Sequence, residues 1–441
     1  MLLILALGMT TLLVSSLHSA ALQIERGRTS GAALAQVKAA LIGYAITYGD
    51  THSGETHGYL PCPDFAGGNP EGSAEAVCGS KNVSVLGRLP WRTLNLPPLR
   101  DGAGECLWYA VAGSYKNNPK TDLMNWDNDG FFEVLGDSGE QLAGATAASR
   151  AVAVIFAPGT AQGTQDRTPS GSAPLCGGNY IASNYLDSNG AHNNSAVSPI
   201  ARAISTFISG ISSPVNDRVI YITRDDIFDA LARRPDFMPT LTAMTQRTAE
   251  CLGAFGTKNG FNGSANKSLP WPAPLVLSGY GANSSYNDAG DLHAGRVPYQ
   301  VDTAKAATGN SISGSNLLNP ANCPASWSSM DAWWNNWKDH LFYAIAGEFR
   351  PGSLPTTPCG ACLRVNGNGP YAAVVMFAGK RLAAQDRIDK GVLSAYLEGR
   401  NASIYPNAGG HGDYEVSAST DVFNDVLYCI DESLAVLPCP P

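Results

Sequence analysis

Asp127-Asn-Asp-Gly130, followed by Glu133, sets hard oxygen donors one residue apart ahead of a glycine suited to a sharp turn. That is the chemistry of a calcium loop, and Asp127, Asp129 and Glu133 are its candidate ligands. The distal bidentate glutamate of a full EF-hand loop is missing, and an Asx turn would use the same residues without an ion. His52, Glu55 and His57 also offer metal-binding atoms within a short Gly-containing stretch. A metal needs a third or fourth fixed ligand and a supporting outer layer, so a solvated loop is expected there. Cys359-Gly-Ala-Cys362 has redox or metal spacing. With no second CxxC, Pro358 before it and Leu-Arg-Val after it, a structural disulfide is expected instead. Trp333, Trp334 and Trp337, around Asn335 and Asn336, could stack a sugar, but their helical spacing points to core packing. Gly-x-Ser-x-Gly, His-Glu-x-x-His and Walker-type patterns are absent. No enzyme is expected. A hydrolase would need paired acids converging in a cleft, such as Asp225, Asp226 or Asp229 with a partner.

The elements that position these residues begin with a helix. Residues 1–24 contain no Asp, Glu, Lys or Arg. Met1–Leu22 is long enough to span a bilayer, which takes about 20 apolar residues. Thr10, Thr11, Ser15, Ser16 and Ser19 can satisfy themselves on carbonyls of the preceding turn. Beyond Arg28 the apolar residues become periodic. Leu34, Val37, Leu41, Tyr44 and Tyr48 fall on one helical stripe. The whole helix, residues 1–50, would be roughly 70 Å long. A secretory signal cleaved after Ser19-Ala20-Ala21 is the competing reading, although a basic leading region is missing. Arg26 and Arg28 lie on the side that opposes export of the head, a conflict that a basic leader upstream of Met1 would remove.

Ten cysteines in a Gly- and Asn-rich head fit an oxidising compartment and up to five disulfides, with Cys62–Cys78 a local bridge. The chain has 29 basic and 37 acidic residues, of which three and two lie in 1–50, leaving the head at 26 against 35. Such a head does not suit nucleic acid or anionic lipid. Gly281–Asn287 and Thr308–Asn319 read as exposed loops.

Residues 2–14, Leu-Leu-Ile-Leu-Ala-Leu-Gly-Met-Thr-Thr-Leu-Leu-Val, continued by 33–45, Ala-Leu-Ala-Gln-Val-Lys-Ala-Ala-Leu-Ile-Gly-Tyr-Ala, resemble the N-terminal helix of type IV pilins and type II secretion pseudopilins. Gly58-Tyr-Leu-Pro-Cys-Pro-Asp and Gly87-Arg-Leu-Pro-Trp-Arg-Thr-Leu are similar to post-helix segments of large pilin-like proteins of Gram-negative bacteria. The resemblance covers about the first 95 residues. It implies an inner-membrane, single-pass protein with a periplasmic head, or a place on an extracellular filament. Its partners would be other pilin or pseudopilin subunits, met through a helix that includes Leu5, Leu34, Val37, Leu41 and Tyr44. Most family members carry Glu at the fifth mature position, where this sequence has Leu5. That departure implies a tip or minor subunit. The competing function is a signal-exported binding protein or hydrolase of the cell envelope.

Five blocks recur in order within the head, as in a diverged duplication. Leu60-Pro-Cys-Pro63 matches Leu269-Pro-Trp-Pro272, with Leu89-Pro-Trp91 a rival. Leu107–Gly113 matches Leu341–Gly347. Ala151–Ala157 with Gln165-Asp-Arg167 matches Ala372–Ala378 with Gln385-Asp-Arg387. Tyr185-Leu-Asp187 matches Tyr396-Leu-Glu398. Asn216-Asp217 with Val219–Ile222 matches Asn424-Asp425 with Val426–Cys429. Thr223-Arg-Asp-Asp226 resembles a capping box opening a helix that runs on towards Cys251, broken at Pro235 and Pro239. The expected fold is α+β: helix 1–50, with 1–22 transmembrane, then related, disulfide-containing sheet lobes at 51–250 and 251–441.

Overall fold

The computed structural model describes residues 2–67, 70–171, 173–211, 213–258, 267–290, 292–301, 317–318, 323–353, 355–403 and 411–441, with side chains from residue 21. The chain is α+β and divides into two units. The first comprises residues 1–53, 57–124 and 128–231; the second comprises 54–56, 125–127 and 232–441.

In the first unit, helix α1 (Leu2–Thr51) is continuous. Ala33, Leu34, Val37, Leu41, Ala45 and Tyr48 are buried, and Tyr44 is half-buried, so the expected stripe faces the protein. It lies against strands β5 (Ala151–Ala157) and β7 (Arg218–Thr223). Gly102 allows a loop to touch the helix backbone, since a Cβ there would stand 2.2 Å from the Arg26 carbonyl oxygen. Leu5 and the rest of the expected span up to residue 20 lie outside the residues whose side chains are described. Among the described residues no helix is long and apolar enough to cross a membrane.

The remaining strands of this unit are β1 (Val85–Arg88), β2 (Trp108–Val111), β3 (Phe132–Gly136), β4 (Gln141–Ala143) and β6 (Ser205–Ser209). An antiparallel order β1-β2-β5-β7 forms the centre, and β3 joins β5 at Phe132–Ala151 while pairing β6 in parallel. β5 is buried along its full length, as its unbroken apolar run implies for a strand covered on both faces. Helix α2 (Arg224–Ala232) closes the unit. Its capping box forms with Asp in place of Glu: the Thr223 amide donates to Asp226 Oδ2 at 2.8 Å, and the Asp226 amide donates to Thr223 Oγ1 at 3.2 Å.

The second unit starts with α3 (Phe237–Lys258), so Pro235 falls between the two helices and Pro239 is accommodated in the first turn of α3. Then follow β8 (Ala294–Arg296), α4 (Asp331–Trp337), β9 (Leu341–Ile345), β10 (Leu363–Val365), β11 (Asn368–Phe377), α5 (Gly399–Ser403), β12 (Asp413–Tyr414), β13 (Val426–Asp431) and β14 (Val436–Pro438). The central order β8-β9-β11-β13 is again antiparallel, and β10 joins β11 while pairing β12 in parallel. Six strands thus repeat with the same connectivity, leaving β4 and β14 as additions. Helix α3 packs on β11 and β13 as α1 packs on β5 and β7, so the repeat includes a helix.

Hydrogen-bond register corrects the sequence alignment of two blocks by one residue. The Ala112 amide donates to the carbonyl of Val152, and the Ala346 amide to that of Ala372, both at 2.8 Å. Val152 therefore corresponds to Ala372, the spacing that also relates Gln165 to Gln385. The Asn216-Asp217 and Asn424-Asp425 pairs likewise set Val219 against Leu427 rather than Val426. The rivalry over Leu60 is settled by two tyrosines: the Tyr109 hydroxyl donates to the Pro61 carbonyl at 3.3 Å and the Tyr343 hydroxyl to that of Pro270 at 3.2 Å. Leu89-Pro-Trp91 instead follows Gly87-Arg88 as Val297-Pro-Tyr299 follows Gly295-Arg296.

All ten cysteines are paired: Cys62–Cys78, Cys106–Cys176, Cys251–Cys323, Cys359–Cys362 and Cys429–Cys439. The Gly281–Asn287 stretch contains a short 3-10 turn at Asn283–Ser285. Residues 308–316 and 319 lie outside the described residues, while Leu317 and Leu318 are buried rather than part of an exposed loop.

Candidate functional site: a duplicated arginine–tyrosine–carboxylate cluster

In the first unit, the guanidinium groups of Arg88 and Arg167 lie 5.1 and 4.9 Å from the ring centre of buried Tyr185. Arg88, the last residue of β1, donates to the carbonyls of Gly177 and Asn179 at 2.9 and 2.7 Å and to the Tyr185 hydroxyl at 3.2 Å. Arg167 donates to the carbonyls of Gly159 and Asn184 and to Gln165 Oε1, at 2.8 to 2.9 Å. Gln165 passes the connection on by donating to Asp187 Oδ1 at 2.8 Å. Asp187 Oδ2 accepts the Asn216 amide at 2.8 Å, while Asp217 Oδ2 accepts the Asp187 amide at 2.7 Å and Asn194 Nδ2 at 2.9 Å.

The second unit repeats this arrangement. Arg296 and Arg387 lie 5.2 and 4.7 Å from the Tyr396 ring centre. Arg387 donates to the carbonyls of Gly379 and Ala395 at 2.9 and 2.8 Å and to Gln385 Oε1 at 3.1 Å. Gln385 donates to Glu398 Oε1 at 2.6 Å. Glu398 Oε2 accepts the Asn424 amide at 3.0 Å, while Asp425 Oδ2 accepts the Glu398 amide at 3.0 Å and Asn401 Nδ2 at 2.9 Å. The twin Gln-Asp-Arg triplets carried this signal. Gly87-Arg-Leu-Pro and Gly295-Arg-Val-Pro, which hold the second arginine of each cluster, are a further repeat that the sequence comparison missed.

Arg88, Arg296 and Arg387 are buried and Arg167 is half-buried, and by donating to backbone carbonyls they hold the loop after β5 or β11 in place. The acids have a different character. Burial, reinforced by Asp187, pushes the Asp217 carboxyl well above its ordinary range. Burial and then Glu398 do the same to Asp425. Burial also raises Asp187. In the first unit a cleft of about 420 Å³ lies over the cluster, lined by Gln162, Gln165, Asp187, Ser188, Asn193 and Pro214 among others.

Each of the three candidate calcium ligands, Asp127, Asp129 and Glu133, is engaged by a different protein cation. Asp129 accepts from Arg224 at 2.9 Å, and Glu133 lies 3.8 Å from Arg150 and accepts the Thr206 hydroxyl at 3.3 Å. Asp127, whose side chain is 4 % exposed, lies 3.4 Å from Arg387 and 3.0 Å from His340 Nε2. Burial opposes its charge, but His340 and Arg387 outweigh burial and hold its carboxyl well below the ordinary range. Asp339, fully buried, is ionised by the same balance: burial raises it, and Lys390 and His340 lower it further.

Asp127, Asp339 and His340 are the only metal-competent group of three among the described residues. They fit a metal poorly. His340 Nε2 already has the Trp126 indole N–H at 2.9 Å and Asp127 Oδ2 at 3.0 Å, and Nδ1 has Asp339 Oδ1 at 3.0 Å, so both ring nitrogens are engaged. Arg387 and Lys390 already balance the two carboxylates. His52 lies over the Tyr48 ring at 4.0 Å with its Nδ1 at the Tyr48 carbonyl, whereas His57 is buried, 3.8 Å from Asp50, rather than part of a solvated loop. Trp334 and Trp337 are core residues, with Trp337 packed edge-on against Trp126 at 4.6 Å, while Trp333 is half-buried. Asp226 serves the α2 cap.

At Cys359–Cys362, the Cys359 amide donates to Glu432 at 2.6 Å, and those of Gly360 and Ala361 donate to Glu348 at 2.9 Å. Amides that would stabilise a thiolate are spent on carboxylates, and nearby negative charge disfavours one further, which suits a structural bridge. No protein-family model, no curated protein and no solved structure matches this chain.

Proposed function

We propose that this chain is a minor pilin-like subunit, placed at the tip or along the side of a type IV pilus or type II secretion pseudopilus, and that its role is structural. The observation that carries the reading is the division of labour along α1. From about Arg26 onward the helix is held by its own unit: Gly102 at its backbone, the Ser30 hydroxyl accepting the Gly102 amide at 2.9 Å, and the stripe from Ala33 to Tyr48 on the sheet. Leu22 and Ile24, just before, are exposed. The helix runs on to Leu2. An apolar extension of that length needs a covering of its own, and a bilayer or the helices of neighbouring subunits would supply it.

N-terminal mass, measured on protein from membrane and sheared-filament fractions, tests the reading. An N-terminus at or near Met1 in those fractions supports it. A start at Leu22 in a soluble fraction would overturn it. The alternative, an exported binding protein or hydrolase, is favoured by the cleft lined by Asp187, behind which Asp217 is buried.

A further inference from the structure

We propose that Asp187–Asp217 and Glu398–Asp425 each hold one proton at neutral pH, as carboxyl–carboxylate pairs that close the two units. The geometry begins with what each aspartate lacks. Asp217 and Asp425 receive both of their hydrogen bonds on Oδ2, and in each the buried Oδ1 has no partner. A buried ionised oxygen without a donor is costly, whereas a protonated one is itself a donor. The duplication repeats the same vacancy of donors at the same place, so it is a property of the arrangement rather than of one loop.

The surrounding charges do not supply a counterion. Facing the first pair, Arg167 spends its donors on carbonyls and Gln165 and lies 3.1 Å from Glu105. Facing the second, Arg387 does the same and lies 3.4 Å from Asp127, while Arg400 is engaged by Asp413 and Glu415. In both units a glutamine, which is neutral, stands between the arginine and the pair. Two buried acids without a direct cation do not both ionise. The amides of Asp187 and Glu398 tie their loops to Asp217 and Asp425, which precede strands β7 and β13, and a proton on those acids keeps a second buried charge out of each junction.

Because the folded pair holds its proton more tightly than the unfolded chain, its contribution is complete below the unfolded carboxyl value of about 3.9 and falls as pH rises towards the folded value. Within that window each pair lowers the folded-to-unfolded ratio by about tenfold per pH unit. Lys116, lowered to about 8 by burial, works in the opposite sense above that pH, so variants must be compared with wild type.

The test uses the full chain. The infrared carbonyl band of protonated carboxyl groups is recorded at pH 7 on protein carrying 13C-labelled aspartate, alongside thermal melts from pH 5 to 9. The expected result is a protonated-aspartate band in wild type, reduced in Asp217→Asn and again in Asp217→Asn/Asp425→Asn. The double variant should lose less melting temperature than wild type between pH 6 and 9. Absence of the band in wild type at pH 7 overturns the proposal even if the variants do not fold. A double variant with the wild-type pH profile overturns it as well.

Discussion

Lys38 and Asp226 meet at 3.1 Å, on the same carboxylate oxygen that accepts the amide and hydroxyl of Thr223. One oxygen thereby serves both the long helix and the cap of α2. The cap carries more of the stability, because Lys38 is a quarter exposed and its ion pair is screened. Asp226→Ala should cost about 1–2 kcal/mol, and Lys38→Ala less than about 1 kcal/mol. Denaturant titrations of both variants check the order; equal costs would place the energy in the ion pair.

The buried stripe of α1 gives a sharper contrast. Leu41 is fully buried against the sheet and Gln36 is exposed. Leu41→Ala should destabilise the folded head by about 2–5 kcal/mol, whereas Gln36→Ala should stay within about 0.5 kcal/mol. Unfolding midpoints followed by tyrosine and tryptophan fluorescence would show it.

Duplicated tyrosines have diverged in what their hydroxyls do. That of Tyr185 accepts from Arg88 at 3.2 Å and from the Asn179 amide at 3.1 Å, while among the described residues that of Tyr396 accepts from Lys390 alone, at 3.5 Å. Tyr185→Phe should cost about 2 kcal/mol, Tyr396→Phe less than about 1 kcal/mol. The pair of melts is the measurement, and the reverse order would contradict the assigned hydrogen bonds.

Disulfides separate by the loop they close. Replacing Cys106 and Cys176, which are 70 residues apart, should cost about 4 kcal/mol by loop-closure entropy. Replacing Cys359 and Cys362, three apart, should cost about 2 kcal/mol. The second pair should also show no disulfide-exchange activity towards a small thiol substrate, given the carboxylates on its amides.

Chelation should leave the melting temperature unchanged, because arginine side chains already engage Asp127, Asp129 and Glu133. A rise on adding calcium, reversed by chelator, would restore the loop reading of Asp127, Asp129 and Glu133.

Local signals were legible in the sequence. Leu34, Val37 and Leu41 are spaced by the helix period, and Thr223 and Asp226 by the reach of a cap. Cys62 and Cys78 close a loop short enough to suggest itself. Matching of residue types misplaced Ala151–Ala157 and Val219–Ile222 by one, because small and branched apolar residues are interchangeable within a strand whereas backbone hydrogen bonds are not. Helix α3, which packs on β11 and β13, is cut by the sequence boundary at residue 250. Its kinship with α1 lies in which strands it covers, and no residue identity records that. The acids Asp217 and Asp425 bond to backbone amides of distant loops, which leave no mark in sequence. Asp127 looked like part of a calcium loop because its partner Arg387 lies 260 positions away.

Every cysteine is bridged to the next cysteine along the chain, without nesting or crossing. For a polypeptide entering an oxidising space N-terminus first, each emerging thiol finds a single unpaired predecessor or none, and that predecessor is its correct mate. Oxidation in order of arrival then yields the native set directly. A chain of this kind would depend on a thiol oxidase during translocation and little on an isomerase afterwards, whereas refolding it from the fully reduced state would forfeit that ordering and scramble.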